Sequence, residues 1–158
     1  MSEENVQIVR LEPARVASVL GFGESPELEA IEKLAAWAKP KGYLDNLAEH
    51  RIFGFNNPSP SPGSPNYGYE FWMVVGPDEE PEGDVEMKEF PGGLYAVKHC
   101  VISGDAYEII PATWKELVMW REDSSYKSGS HQWLEEHLQI DSGLSEVWAL
   151  DLYLPIDE

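Results

Sequence analysis

A single carboxylate stands among aromatic rings in the segment Tyr67–Val75, which reads YGYEFWMVV. The aromatic and β-branched content of this segment, with turn residues on both sides, predicts a strand. Because side chains alternate along a strand, Glu70 and Trp72 share one face, while Tyr69 and Phe71 share the other. An ionised carboxylate on a covered face is costly unless a positive charge or a hydrogen-bond donor meets it. A flat lipophilic cation would supply that charge and would also stack on the indole.

A second interpretation of this segment needs no ligand. In it the strand lies at an edge or is half exposed, Glu70 points into water, and Trp72 packs in the core. Large aromatic side chains usually serve packing, and this argument favours the core over a site for Trp114 and Trp148. From the sequence, both interpretations of Glu70 stay open.

The composition fits one acidic globular domain. The chain has 158 residues, 42% of them hydrophobic, which is enough for a single domain over residues 1–158 with a sizeable core. Its formal net charge of −18 repels phosphate backbones, so direct nucleic-acid binding is not expected. The same field attracts cationic small molecules, although acidity can also serve solubility alone.

The sequence carries no recognised targeting or cofactor signal. The N-terminal residues Met1 to Glu4 are acidic and lack an apolar region, and no apolar run approaches the roughly 20 residues of a membrane span. Cys100 is the single cysteine, which excludes an internal disulfide and fits a reducing compartment. The four histidines match no zinc spacing. We therefore expect a cytoplasmic protein without membrane contact, cofactor or metal.

Periodicity and turn residues indicate the elements that position the candidate residues in the first half. Residues 5–23 predict one bent strand or two short strands, broken at Pro13. A helix is predicted after Ser25, which is a favourable N-cap and is followed by proline, and it ends before Pro40. Residues 57–66 contain four prolines and predict an extended loop.

The second half shows a similar order. Residues 85–90 and 94–101 predict two strands joined by a Pro-Gly-Gly turn, and we expect them to form a hairpin. A helix follows, with competing start signals at Asp105 and Pro111, and we place a short first turn before Pro111. Residues 147–154 predict the final strand.

These elements predict a duplicated α+β fold. Each half reads as strand, helix and two strands, so we expect two βαββ halves, about residues 5–76 and 85–156, with antiparallel sheet and two helices. Such halves leave a groove where they meet, which is a usual place for a small-molecule pocket.

Several apolar motifs, in their order, resemble a known family. They are Phe90-Pro91-Gly92-Gly93-Leu94-Tyr95-Ala96-Val97, Trp114-Lys115-Glu116-Leu117 with Trp120, Trp133-Leu134-Glu135, and Leu152-Tyr153-Leu154-Pro155-Ile156. Over nearly the whole chain they are similar to the GyrI-like small-molecule-binding family, which is also the effector-binding domain of AraC- and MerR-type bacterial transcription regulators. The resemblance implies a pocket between duplicated halves. Because no helix-turn-helix precedes the fold, we expect a stand-alone member whose transcriptional role would need a protein partner, as yet unknown.

The resemblance also implies a mode of ligand recognition. In this family, stacked aromatics around a buried glutamate bind lipophilic, often cationic, aromatic compounds. That glutamate usually lies in a Leu-Glu-x-Tyr segment, matched here by residues 134–137 with His137 in the tyrosine position, so Glu136 is an alternative to Glu135. The expected ligand-binding residues are Glu135, Glu70, Trp72, Tyr69, Trp133, Tyr153 and Trp114.

Three functions follow as hypotheses. The first is binding of lipophilic cationic aromatic molecules by a multidrug-type sensor or sequestering protein. The second is a hydrolase, because some stand-alone members of the family that this chain resembles hydrolyse cyclopropane-bearing alkylating compounds. In that case Glu70 and Glu135 would be the catalytic residues that position or deprotonate water. The third is an interaction module that inhibits a DNA-binding enzyme through an acidic face.

Overall fold

The computed structural model describes residues 6–46, 49–56, 66–138 and 147–158. These residues form nine strands and two α-helices, which confirms the α+β class. In chain order the elements are β1 Val6–Leu11, β2 Ala14–Gly23, α1 Pro26–Ala38, β3 Ile52–Asn56, β4 Tyr67–Val75, β5 Glu86–Phe90, β6 Gly93–Ser103, α2 Ala106–Glu122, β7 Lys127–Ser128, β8 Leu134–His137 and β9 Val147–Asp157.

The chain divides into two compact units. We call Ala14–Phe90 the central unit, and Met1–Pro13 together with Pro91–Glu158 the terminal unit. Each contains an antiparallel sheet and one α-helix. The proline-rich stretch 57–65, predicted to be a loop, lies outside the described residues.

In the central unit the strand order is β3-β4-β2-β5. Helix α1 begins directly after Ser25, has Pro26 as its first residue, and buries a stripe at helical spacing that includes Ala30 and Leu34. Gly21 lets the helix start close to the sheet, because a Cβ at this position would lie 2.3 Å from the Pro26 carbonyl oxygen. The Gly21 face of the sheet is therefore the face that α1 covers.

In the terminal unit the strand order is β1-β6-β9-β8, with β7 also paired to β9. Helix α2 begins at the earlier of its two start signals, since the amides of Glu108 and Ile109 donate to the Asp105 carbonyl, and Pro111 lies inside the helix. Leu117 of α2 is fully buried against one face of the sheet, in a cluster with Ala96, Cys100, Ile102, Leu150, Leu152, Leu154 and Ile156.

The strands of the two units follow one order. In each unit the long strand before the helix, β2 or β6, lies between a strand at the end of the order, β5 or β1, and another long strand, β4 or β9. The sequence β5-β2-β4-β3 in the central unit therefore corresponds to β1-β6-β9-β8 in the terminal unit. This shared order is compatible with the two βαββ repeats, which stay a prediction.

The expected hairpin between residues 85–90 and 94–101 is wrong. β5 pairs with β2, whereas β6 pairs with β1 and β9. Gly92, in the connecting turn, has φ 76° and packs so closely that a Cβ would lie 2.3 Å from the Leu11 carbonyl oxygen. A Pro-Gly-Gly turn reverses the chain locally, but the strands it joins find their partners elsewhere in the sequence. Residues 5–23 form two strands, as one of the alternatives predicted.

Candidate functional site

Glu70 lies on the sheet face of the central unit that is turned away from α1. In the β2–β4 register Gly21 faces Tyr69, so Tyr69 and Phe71 point to the helix side. Glu70 and Trp72 point to the opposite side, as the strand alternation predicted. Only 1% of Glu70 is exposed, which excludes the interpretation that places this carboxylate in water.

Three donors from the protein meet the Glu70 carboxylate on one oxygen. Its Oε2 accepts hydrogen bonds from Ser18 Oγ at 2.6 Å, Trp72 Nε1 at 2.6 Å and Lys88 Nζ at 2.7 Å. Ser18 is buried, whereas the Lys88 side chain is 42% exposed. Charge-assisted hydrogen bonds of this kind compensate the burial of a carboxylate.

Aromatic and aliphatic side chains surround this carboxylate on the same face. The Trp72 ring contacts Phe55 edge-on at 4.7 Å between centroids and Phe90 at 5.6 Å. Leu20, directly opposite Glu70 on β2, is 46% exposed, and Phe22 beyond it is 56% exposed. We name this group, Glu70 with Trp72, Phe55, Leu20 and Phe22, the Glu70 cluster. It joins a buried negative charge to accessible apolar surface.

Glu136 occupies the sheet face of the terminal unit that is turned away from α2. Tyr153 donates a hydrogen bond of 2.7 Å to Glu136 Oε1, and both side chains are buried. The Tyr95 ring contacts Tyr153 edge-on at 5.6 Å. Tyr95 itself donates to the Gln132 carbonyl, and burial raises the pKa of its phenol. This unit thus also has a buried carboxylate beside aromatic rings.

Glu135 points to the other side of β8, towards α2. Its Oε2 accepts a hydrogen bond of 3.1 Å from Trp114 Nε1. The Trp114 ring also lies 5.2 Å from Trp133, which is 42% exposed. The neighbouring glutamates Glu135 and Glu136 therefore belong to different faces of the terminal sheet.

Within each unit, the predicted ligand-binding residues have the following partners. Glu70 lies with Trp72, Tyr153 lies with the alternative glutamate Glu136, and Glu135 lies with two tryptophans. Tyr69 is buried on the α1 side of its strand, where it contacts Phe71. The glycine at position 54 makes room for this ring, since a Cβ there would meet the Tyr69 hydroxyl at 2.4 Å.

Sequence reasoning missed the two partners of Glu70 that come from other strands. Ser18 lies 52 residues and Lys88 lies 18 residues away along the chain. The alternation in β5 does place Lys88 and Phe90 on one face, which was a usable signal. What it could not show was that β5 pairs with β2, next to the strand of Glu70.

A cavity of about 410 Å³ lies elsewhere, within the terminal unit. Residues of β1, β6 and α2 line it, including Lys98, Glu116 and Trp120, and none of the predicted ligand-binding residues does. In the described part of the chain no three His, Cys, Asp or Glu side chains converge as metal ligands. No helix among the described residues is long and apolar enough to cross a membrane.

A family model described as integron-associated effector binding protein matches residues 7–156 of the chain. The chain belongs to this family. The match confirms the predicted effector-binding domain, and it supports small-molecule binding as the general function of this effector-binding protein. A search of curated proteins found no match.

Solved structures with the same fold include EcmrR, both as its C-terminal domain and in a complex with DNA. The C-terminal domain of EcmrR has a TM-score of 0.64 and 16% identity, with 97% of each chain covered. The comparison with the longer EcmrR chain of a DNA complex gives a TM-score of 0.67 and 15% identity. It covers 97% of the present chain but only 57% of the EcmrR chain.

Two further structures differ in what they are described as doing. SAV2435 bound to tetraphenylphosphonium has a TM-score of 0.52 and 14% identity, over 96% of this chain and 93% of that one. A hydrolase from Listeria innocua has a TM-score of 0.67 and 13% identity, over 97% and 92%. At these identities the similarity establishes the fold alone.

Proposed function

We propose that this effector-binding protein binds lipophilic aromatic cations, as a sensor or sequestering protein, with Glu70 and Glu136 as the recognising carboxylates. The observation that carries the proposal is the Glu70 cluster, in which a carboxylate 1% exposed adjoins Leu20 and Phe22, both about half exposed. The structure of SAV2435 bound to tetraphenylphosphonium, an aromatic cation, supports the choice of ligand class. The pocket between the halves, implied by the family resemblance, stays a prediction.

The Glu70 cluster offers two kinds of attraction to such a ligand. A carboxylate already withdrawn from water loses little further hydration when a cation approaches, so the charge attraction is retained. Apolar surface of the ligand that covers Leu20 and Phe22 adds roughly 25 cal/mol per Å² removed from water. Aromatic rings of the ligand can also contact Trp72 edge-on or stacked.

The cation would compete with Lys88 for the carboxylate. The Lys88 side chain is 42% exposed. Rotation of this side chain alone would therefore take its ammonium group away from the Glu70 carboxylate and into water. Ser18 and Trp72 would keep their hydrogen bonds to Oε2 during the exchange. In this proposal the Lys88 ammonium group neutralises Glu70 in the free protein, and the positive charge of the ligand neutralises it in the complex.

The terminal unit contributes Glu136 with Tyr153, and the α2 side of β8 contributes Glu135 with Trp114 and Trp133. We propose Glu136 rather than Glu135 as the recognising carboxylate of this unit. Glu136 shares its face with Tyr153 and lies beyond the cover of α2, whereas Glu135 is bonded to a residue of α2. Tyr69, on the α1 side, would act through packing beneath β4.

Calorimetric titration with tetraphenylphosphonium tests the proposal. We expect Glu70→Gln and Glu136→Gln to weaken binding about tenfold or more each, which corresponds to about 1.4 kcal/mol. Glu32→Gln, on α1, removes the same charge from an exposed position and should leave affinity unchanged. Tetraphenylborate, with the same shape and the opposite charge, should not bind. The proposal would be overturned if Glu70→Gln and Glu136→Gln both bound tetraphenylphosphonium with the wild-type affinity.

A further inference from the structure

An imidazole and a carboxylate pair on the terminal sheet. His99 on β6 and Asp151 on β9 face each other in register, and His99 Nδ1 lies 2.7 Å from Asp151 Oδ1. Their side chains are 54% and 25% exposed. A carboxylate bonded to Nδ1 fixes the ring orientation and keeps the proton on that nitrogen, so the lone pair of Nε2 is left to accept a proton.

This pair belongs to a row of polar side chains across three strands. Asp151 also faces Glu136 in the β8–β9 register, so His99, Asp151 and Glu136 lie side by side on the face turned away from α2. The charged group that faces His99 from β9 is therefore Asp151, and Glu136 lies beyond it on β8. On β1, the described residues of this face are Gln7, Val9 and Leu11, which are uncharged.

Three other candidate bases and nucleophiles, Glu70, Glu135 and Cys100, are engaged by neighbouring side chains. Glu70 Oε2 accepts three hydrogen bonds, and Glu135 Oε2 accepts one from Trp114. Cys100, next to His99, points to the α2 side, where it is buried and donates to Thr113 Oγ1. Of these groups, the His99 imidazole combines an orienting partner with access from solvent.

We propose that His99 is a general base for the hydrolysis of lipophilic esters that are neutral or cationic. Water gives a proton to His99 Nε2 as its oxygen bonds to the acyl carbon of the ester. The bond between that carbon and the leaving oxygen then breaks, and the leaving oxygen takes the electron pair and the proton from the imidazolium. Asp151 is a positioning residue, which holds the ring and stabilises the imidazolium.

The surroundings of His99 define the substrate class. Val101, two residues further along the same face of β6, is 51% exposed and offers an apolar contact for the ester. Asp151 and Glu136 make the row acidic and disfavour an anionic ester. This inference concerns an activity beyond ligand binding and uses residues outside the Glu70 cluster.

Hydrolysis of p-nitrophenyl butyrate, followed through release of p-nitrophenolate, tests the inference. Wild type should exceed the buffer rate, and the activity should fall at acidic pH, as in any reaction that needs a general base in its unprotonated form. His99→Gln should reduce the rate about tenfold or more and abolish this acidic limb, and free imidazole should restore part of the rate. Asp151→Asn should reduce the rate less and change the pH profile.

Controls separate this activity from general surface chemistry and from binding. His50→Gln removes a partly buried imidazole of the central unit, and we expect it to keep the wild-type rate. Circular dichroism and the unfolding midpoint of His99→Gln should match wild type, so that lost hydrolysis does not report unfolding. The inference would be overturned if wild type hydrolysed the ester no faster than buffer, or if His99→Gln kept the wild-type rate and pH profile. Neither result would bear on tetraphenylphosphonium binding, which the separate titration tests.

Discussion

Lys88 on β5 pairs with Glu70 on β4 across the strand that separates them. The two charged atoms lie 2.7 Å apart, although β5 and β4 are not neighbours and both pair with β2. The ammonium group thus reaches over β2, where Ser18 contributes a further hydrogen bond to the same oxygen. The buried carboxylate consequently has an internal counter-ion, whose own side chain is 42% exposed.

Replacing Lys88 by methionine should raise the affinity for tetraphenylphosphonium several-fold. The variant removes the competing cation and keeps most of the apolar side chain. Stability should fall by about 1–3 kcal/mol, because the buried carboxylate loses one of its charge-assisted hydrogen bonds. Lys115→Met, at an exposed position of α2 in the terminal unit, removes the same charge and serves as the control in both the titration and urea unfolding. Weaker binding by Lys88→Met would contradict the competition.

Gly92→Ala should destabilise the protein far more than Gly42→Ala. The two glycines have nearly the same backbone conformation, with φ 76° and 77°. A Cβ at Gly92 would lie 2.3 Å from the Leu11 carbonyl oxygen, whereas nothing lies within 4 Å of a Cβ at Gly42. We expect a loss of about 1–2 kcal/mol at Gly42 from the left-handed conformation alone. The loss at Gly92 should be at least about 2 kcal/mol larger, because the backbone must also shift.

Urea unfolding of both variants measures this difference. Because the φ cost is shared, subtraction isolates the contact between the turn and β1. Similar losses for the two variants would show that the chain can relax around Gly92, and that β1 is not held there by close packing.

His137 should make stability depend on pH in a defined window. Burial lowers the pKa of His137 to about 4, and the charge of Glu136 partly opposes this shift. The unfolded chain, with an ordinary value of 6.5, takes up a proton first as the pH falls. Stability from this group is therefore complete above pH 6.5 and is lost progressively between pH 6.5 and about 4, by at most about 1.4 kcal/mol per pH unit.

The comparison of wild type with His137→Gln in urea unfolding at several pH values checks this sign. Carboxylates titrate in both proteins and cancel in the difference. The stability difference should change between pH 6.5 and 4 and be flat above that range. Parallel pH profiles would contradict the assignment to His137.

Cys100 should resist thiol reagents in the folded protein. Burial raises the pKa of the thiol, which is 2% exposed and donates to Thr113 Oγ1 at 3.4 Å. The reactive thiolate is therefore scarce at neutral pH and hard to reach. Reaction with a disulfide reagent should be slow in buffer and rapid in concentrated urea. Fast labelling of folded protein would show that the α2 side of β6 opens readily.

The alternation of side chains along each strand, which is visible in the sequence, determined which neighbouring residues share a face. It placed Glu70 with Trp72 and Tyr69 with Phe71 on opposite faces of β4, because side-chain direction depends on neighbouring residues of one strand. The order of strands and helices was also readable, since hydrophobic periodicity and turn residues are local properties.

Only the tertiary structure decided which strands pair and which side chains meet. The turn at residues 91–93 suggested a hairpin, yet β5 joined β2 and brought Lys88 to Glu70. Likewise, the faces that Glu135 and Glu136 occupy depend on the register of β8 against β9, and a shift of one residue would exchange them. Pairing and register arise from contacts between segments far apart in the chain, so a one-dimensional pattern does not contain them.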